Sequence, residues 1–419
     1  MARRYFGTDG VRGVVGEELT EDLVERLGRA AALWSDGGRV FIGRDTRASG
    51  PTLESAFAEG VATAGGNAVL GGVLPTPAVA LLALDLGAVI SASHNPPEYN
   101  GVKFFDHDGQ KLTDASEEEI EALLDEPPRK SRGTIDRVGV SADSYLAHVV
   151  ERFGSDLRGL RVAVDCGNGA YSEIAPQAFE QLGADVLPLA TEPNGRNINV
   201  GSGATDLSLL QSHAGAFDLG VAFDGDGDRM LAVDAEGSPV DGDQILAVLA
   251  LHLRVDVVVV TSMTNLGFQR LMEARGIRVV MTDVGDRYVL EALRREGAIL
   301  GGEQSGHIIC LDGHVTGDGL AAALLLCRAL EGRSLSEAVA VMPRFAQVKE
   351  NVPTRRKDLS SELQEEIARI NSGLNGTARV LVRPSGTEPL IRVLAEAQNE
   401  ADAARLCGTI SALVRRELG

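Results

Sequence analysis

Short apolar runs recur along the chain, each closed by a glycine-bearing polar loop and followed by a stretch with helical spacing. Arg39-Val-Phe-Ile-Gly43 leads into Arg44-Asp-Thr-Arg-Ala-Ser-Gly50, and a helix is predicted from Thr52 to about Ala64. Leu160-Arg-Val-Ala-Val-Asp165 leads into Cys166-Gly-Asn-Gly169 and a second helical pattern. Val255-Asp-Val-Val-Val-Val260 leads into Thr261-Ser-Met-Thr-Asn265 and a third, ending near Arg275. Strand and helix in alternation predict an α/β protein with largely parallel sheets. Beyond Met342-Pro343-Arg344 the pattern changes: Ala378-Arg-Val-Leu-Val382 and Leu390-Ile-Arg-Val-Leu394 flank a turn between helical stretches, as in a smaller α+β unit.

Breaks in this pattern divide the chain. Glu126-Pro-Pro-Arg-Lys-Ser-Arg-Gly133 reads as a linker, and Met230-Leu-Ala-Val-Asp-Ala-Glu-Gly237 reads as a hairpin before a further boundary. Four units are expected: α/β domains over 1–139, 140–238 and 239–342, and an α+β domain over 343–419. At roughly 150 residues per domain, 419 residues accommodate them.

Composition adds constraints. Forty basic against sixty acidic residues give a net charge of −20, which repels nucleic acid and anionic membranes. No run approaches the ~20 apolar residues of a membrane helix, and the start has no apolar run that would make it a signal peptide. Cys166, Cys310, Cys327 and Cys407 are far apart without a C-x-x-C pair, so a reducing, cytoplasmic setting is expected. An anionic substrate would need local arginines or a metal ion to overcome the general field.

The sharpest chemical signal is Asp224-Gly-Asp-Gly-Asp-Arg229, directly after Leu219-Gly-Val-Ala-Phe223. Three alternating carboxylates separated by glycines can converge on one hard cation. A calcium loop of the EF-hand type is excluded, since its sixth position would be Arg229 and its twelfth Ala235. Carboxylates plus a phosphate oxygen suit Mg²⁺.

Ile90-Ser-Ala-Ser-His-Asn-Pro96 delivers Ser93 and His94 to a loop, and Lys103 follows in Asn100-Gly-Val-Lys-Phe-Phe105. The G-x-S-x-G elbow of a serine hydrolase is absent. Neighbouring side chains on a strand point to opposite faces, so adjacency alone predicts no Ser93–His94 hydrogen bond. Arg383-Pro-Ser-Gly-Thr-Glu-Pro-Leu-Ile-Arg392 offers hydroxyls, backbone donors and two guanidinium forks for phosphate. Gly301-Gly-Glu-Gln-Ser-Gly-His307 carries Glu303 and Ser305 at a spacing that puts both on one side of an extended loop, suited to sugar hydroxyls. Gly7-Thr-Asp-Gly-Val-Arg-Gly13 exposes Arg12 for an anion.

The order S-A-S-H-N-P, D-G-D-G-D-R, E-Q-S-G-H, R-P-S-G-T-E-P, one motif per expected unit, resembles the α-D-phosphohexomutase superfamily over the whole chain. Tyr5-Phe-Gly-Thr-Asp-Gly-Val-Arg-Gly13, Gln304, Val284-Gly-Asp-Arg-Tyr-Val289 and Pro193-Asn-Gly-Arg-Asn-Ile-Asn199 are similar to its glucosamine branch. The resemblance implies four domains around one central cleft: three α/β mixed-sheet domains of related architecture and a C-terminal α+β domain. It implies a phosphorylated Ser93, with Asp224, Asp226 and Asp228 holding one Mg²⁺ to which Ser93 also contributes. Arg12, His94, Lys103 and Arg229 would line the transfer site, with Lys103 the first candidate for general base and His94 the second. Glu303, Ser305 and His307 would hold the sugar, and Arg383, Ser385, Gly386, Thr387 and Arg392 its phosphate. The implied reaction is exchange between glucosamine 6-phosphate and glucosamine 1-phosphate through a sugar bisphosphate, feeding cell-wall amino-sugar synthesis; the alternatives are the same exchange on mannose or glucose phosphates, or a sugar-phosphate-binding protein without turnover. A homodimer is compatible with this reading and not specified by it.

Overall fold

The structure, a computed structural model, describes residues 4–7, 9–139, 141–356, 358–374, 376–385 and 389–418. The chain forms two compact bodies: residues 1–262 with 280–339, and residues 263–279 with 340–419. The second body therefore takes residues 263–279, including the helix Leu266–Ala274, which the sequence pattern groups with the third unit.

Three sheets carry the first body. The largest contains β1 (Val11–Val14), β2 (Arg39–Arg44), β3 (Asn67–Val73), β4 (Leu86–Ile90), β5 (Tyr99–Asp106) and β6 (Ile135–Arg137), in the order β1-β5-β4-β2-β3-β6. Strands β4, β2, β3 and β6 run parallel, while β5 runs antiparallel to both β4 and β1. β4 is buried at all five positions, as a central strand covered on both faces must be. The segment expected to be a free linker is instead bound: Arg129 and Gly133 donate backbone hydrogen bonds to Thr63 and Ala62, and the chain continues into β6. Its apolar content is too low to reveal that attachment, which is made by these backbone bonds and by an ion pair of Arg132 with Glu59.

The helix Glu21–Trp34 starts on Thr20, whose hydroxyl accepts from the Leu23 amide, and packs on the helix Gly50–Thr63. The two approach closely enough that a Cβ at Gly28 would lie 2.1 Å from the Phe57 carbonyl oxygen. Leu27, Phe57, Ile42 and Ala88 form the core between these helices and the sheet. Burial of such side chains supplies about 1.5–3 kcal/mol each against the entropy of ordering them.

The second sheet contains β7 (Arg161–Asp165), β8 (Asp185–Leu189), β9 (Leu219–Phe223), β10 (Met230–Asp234) and β11 (Pro239–Val240), in the order β11-β10-β9-β7-β8. The expected hairpin is there, β10 and β11 pairing antiparallel about the Asp234–Ser238 turn, and β9 also pairs antiparallel with β10 across the Asp224–Arg229 loop. In the third region β12 (Val257–Thr261) runs parallel to β14 (Leu300–Gly302), which pairs antiparallel with β15 (Ile308–Cys310); β13 (Arg278–Thr282) intervenes in sequence. The helix Gly242–Leu253 begins with a capping box between Asp241 and Gln244, and the helix Gly319–Leu330 is capped by Asp318.

In the second body, β16 (Ala346–Pro353), β18 (Leu390–Ala397) and β17 (Ala378–Pro384) form an antiparallel sheet in that order. Ile367, Ile391, Val393 and Ile410 belong to its core beneath the helices Ser361–Gly373 and Glu400–Leu418. All four cysteines are buried and unpaired. No described helix is long and apolar enough to cross a membrane.

Candidate active site

Two fully buried strands end at the same place. β9 delivers Asp224 and β4 delivers the Ser91–His94 turn, and Ser93 Oγ donates to Asp224 Oδ2 at 2.6 Å. Ser93 has left the strand: its φ of +51° is in the left-handed region, uncommon for a residue with a Cβ. That twist, which adjacency alone does not predict, accompanies a Ser93 Oγ–His94 Nδ1 distance of 3.2 Å.

Asp224, Asp226 and Asp228 are buried, with one oxygen from each within 4.8 Å of the others. The loop closes through a Gly227 amide bond to the Asp224 carbonyl at 3.0 Å. Gly227 has φ +77°, and a Cβ there would sit 2.3 Å from the Tyr171 ring, so only glycine fits. Asp226 Oδ2 accepts from Thr76 Oγ1 at 2.7 Å and Lys103 Nζ at 2.9 Å. The second oxygens of Asp226 and Asp228 are buried without a hydrogen-bond donor. Burial, then repulsion from Asp228 and Asp226, pushes the Asp224 carboxyl well above the ordinary range. Converging oxygens with unused lone pairs and a deficit of positive charge are what a divalent cation would satisfy, so the trio fits a metal.

Positive charge enters from three sides. Lys103, buried on β5, pairs with Asp226, with Asp228 at 3.4 Å and with Asp9 at 3.1 Å. Burial acts to lower its pKa, but Asp226, Asp9 and Asp228 outweigh it and hold the ammonium protonated. A lysine so held has no lone pair to offer, which argues against its expected role as general base. Burial, assisted by Arg229 and Arg12, lowers His94 to about 4 and leaves a neutral imidazole. Arg12 pairs with Asp9, and the Arg229 amide donates to Asp224 Oδ1 at 3.1 Å.

These groups open on a cavity of about 270 Å³, lined among others by Arg12, His94, Asp228, Arg229, Glu303 and His307. The 303–307 segment is a turn rather than the extended loop expected. The Glu303 amide donates to the His307 carbonyl at 2.9 Å, and the Gly306 amide donates to the Glu303 carbonyl at 3.0 Å. The turn aims Glu303 and His307 into the cavity and leaves Ser305 solvent-exposed. Glu303 Oε1 accepts from the Gly285 amide at 3.0 Å, and burial raises its pKa. His307 lies 3.7 Å from Asp228 and 3.5 Å from Asp286; burial lowers its pKa, but these carboxylates outweigh it and raise it.

In the second body, Arg383 and Arg392 stand directly opposite each other on β17 and β18, and Arg392 reaches Ser385 Oγ at 3.4 Å. Gly386 and Thr387 lie outside the described residues.

Spacing alone gave no sign of several participants. Lys111 bridges Asp9 at 2.7 Å and Asp286, which itself faces His307. Asp9 and Asp286 sit inside the Gly7–Gly13 and Val284–Val289 stretches, which stood out for Arg12 and for the family resemblance and not for these carboxylates.

Comparison with known proteins agrees in every segment. The chain matches models of phosphoglucomutase/phosphomannomutase α/β/α domain I over residues 3–130, domain II over 143–237, domain III over 241–345 and the C-terminal domain over 339–413. It is 48% identical to the phosphoglucosamine mutase of Moorella thermoacetica, covering 94% of this chain and 95% of that one. It is 45% identical to that of Bacillus subtilis, covering 99% of each. Among solved structures, a phosphoglucomutase/phosphomannomutase family protein from Burkholderia thailandensis superimposes with a TM-score of 0.84 at 25% identity, over 98% of this chain and 97% of the other. An Aspergillus fumigatus N-acetylphosphoglucosamine mutase, solved with GlcNAc-6P and magnesium, shares the fold at a TM-score of 0.70 and 19% identity, over 99% and 96%.

Proposed function

The chain belongs to the phosphoglucomutase/phosphomannomutase family, and we propose that it interconverts glucosamine 6-phosphate and glucosamine 1-phosphate through a phosphorylated Ser93. One observation carries the reading: Ser93 Oγ is 2.6 Å from Asp224, inside a buried trio of carboxylates that fits a divalent cation. Near-full-length identity to phosphoglucosamine mutases supports the amino sugar as substrate. Buried thiols throughout accord with a cytoplasmic enzyme.

The chain's own residues divide the work. Phosphoryl transfer proceeds through a loose transition state that depends on positioning and electrostatics. The bond between phosphorus and Ser93 Oγ breaks as a bond to the sugar hydroxyl oxygen forms, and the hydroxyl proton ends on the released serine. His94 Nδ1, 3.2 Å from that oxygen and neutral, is a group within reach to hand the proton over while Asp224 serves the cation. Mg²⁺ on Asp224, Asp226 and Asp228 would offset the charge of the transferring group. Lys103 holds Asp226 and Asp228 in place by its ion pairs. Arg12 and Arg229, lining the cavity, meet the anionic substrate. Glu303 and His307 hold the sugar by its hydroxyls, while Arg383, Ser385 and Arg392 bind the phosphate that is not transferred. The resulting bisphosphate turns over and returns its other phosphoryl group to Ser93.

The test is a coupled assay of wild type and Ser93→Ala with the 6-phosphates of glucosamine, glucose and mannose. Turnover is expected to be highest by kcat/KM for glucosamine and absent in Ser93→Ala. Substantial turnover by the alanine variant would refute the serine relay, and preference for mannose or glucose would refute the substrate.

A further inference from the structure

The loop Arg44–Gly50 contains a buried arginine that the reaction as described leaves unused. Arg47 is fully buried, and each of its guanidinium nitrogens is engaged. Nε donates to Asp45 Oδ2 at 2.9 Å, Nη1 to the carbonyls of Tyr99 at 2.9 Å and Pro96, and Nη2 to those of Ser93 and Asn95, both at 2.8 Å. Four carbonyls of the segment 93–99 thus converge on one planar cation. The opposite side of Ser93 is fixed by the same pair. The Ser93 amide donates to Ser91 Oγ at 2.9 Å, and Ser91 Oγ donates to Asp45 Oδ2 at 2.6 Å.

From this geometry we infer that Arg47, acting with Asp45 and Ser91, is the positioning group that holds Ser93 in its left-handed conformation and so aims its Oγ for phosphoryl transfer. The inference rests on the proposed phosphoserine reaction and adds residues to it. A serine at φ +51° costs on the order of 1 kcal/mol or more and persists only where its surroundings over-determine it. Here they do, since both its amide and its carbonyl are tied to the Asp45–Arg47 pair. Asn199 Nδ2 adds a further bond to the same carbonyl at 2.9 Å. If the ties were lost, Ser93 would relax toward the extended backbone of β4 and its Oγ would swing away from Asp224. A displacement of about 1 Å at reacting atoms can cost 10²-fold in rate. Lysine cannot replace Arg47, because three donors on a single nitrogen cannot span four carbonyls and a carboxylate.

Arg47→Lys and Ser91→Ala test this in the full-length protein, each loaded with sugar bisphosphate and checked for phosphoserine by intact mass. Glucosamine phosphate turnover and thermal unfolding are then measured side by side. Expected is a kcat lower by about 10²-fold in Arg47→Lys and about 10-fold in Ser91→Ala, with KM changed by no more than about 3-fold. Ser91→Ala removes one oxygen and leaves the pair intact, so it decides the matter should Arg47→Lys fail to fold. The inference is overturned if folded Ser91→Ala keeps wild-type kcat, if KM alone changes, or if its kcat is regained simply by assaying well below its melting temperature. Wild type lacking both phosphoserine and turnover would instead overturn the reaction on which the inference rests.

Discussion

Ser93 Oγ donates a 2.6 Å hydrogen bond to Asp224 Oδ2 across 131 positions of sequence, joining the ends of two buried strands from different sheets. Asp224 is pushed toward its neutral form by burial and by its two acidic neighbours. The same residue therefore opposes stability while serving the chemistry, and this tension can be measured.

Replacing Asp224 by Asn should lower kcat by about 10³-fold, roughly 4 kcal/mol of transition-state stabilisation. In the absence of divalent ions the melting temperature should rise, because a buried carboxyl repelled by Asp226 and Asp228 has been removed. Saturating Mg²⁺ should stabilise wild type, by about 2.7 kcal/mol at a hundredfold excess over Kd, and should barely affect the variant. Calorimetry with and without chelator checks both signs.

Glu303→Gln should reduce kcat/KM by about 10–100-fold, since a buried acceptor for sugar hydroxyls becomes in part a donor. The Gly285 amide would compete for its remaining oxygen. Metal affinity, read by titration calorimetry, should be unchanged.

Arg392→Lys should raise KM about 10-fold and leave the phosphoserine content of the enzyme intact. Arg392 and Arg383 form a cross-strand pair presenting two planar forks, and an ammonium cannot reproduce the bidentate geometry. Steady-state kinetics with intact-mass measurement separates the two effects.

Asp165 gives a pH-dependent stability. Burial raises its carboxyl to about 6, offset in part by the amides of Gly203 and Gly167. The folded value lies above the unfolded one, so its stabilising contribution is complete below about pH 4 and lost as pH rises through about 6. Relative to Asp165→Asn, which does not titrate, wild type should gain up to about 3 kcal/mol between pH 7 and pH 4. Urea unfolding of both proteins across that range is the check.

The fold was largely legible because its strands are apolar runs bounded by glycine loops, and the site because its chemistry is concentrated in short motifs. Asp224, Asp226 and Asp228 could be read from spacing alone, since alternate residues in a glycine loop must converge. What spacing could not supply was conformation. Ser93 and His94 meet because one residue adopts a left-handed backbone, which no strand rule anticipates. Lys103 was placed at the site, but its charge state was not legible, because it is fixed by Asp9 and Asp226, residues distant in sequence. Ser305 points to solvent because Gly306 closes a turn that the motif alone did not specify.

All four native thiols are sealed inside packed cores. A single cysteine introduced at Val200, which is 58% exposed, would then be the lone reactive handle for a fluorescent dye. Spectroscopic tracking of the turnover cycle could begin from the natural chain, with no prior stripping of its sulfur.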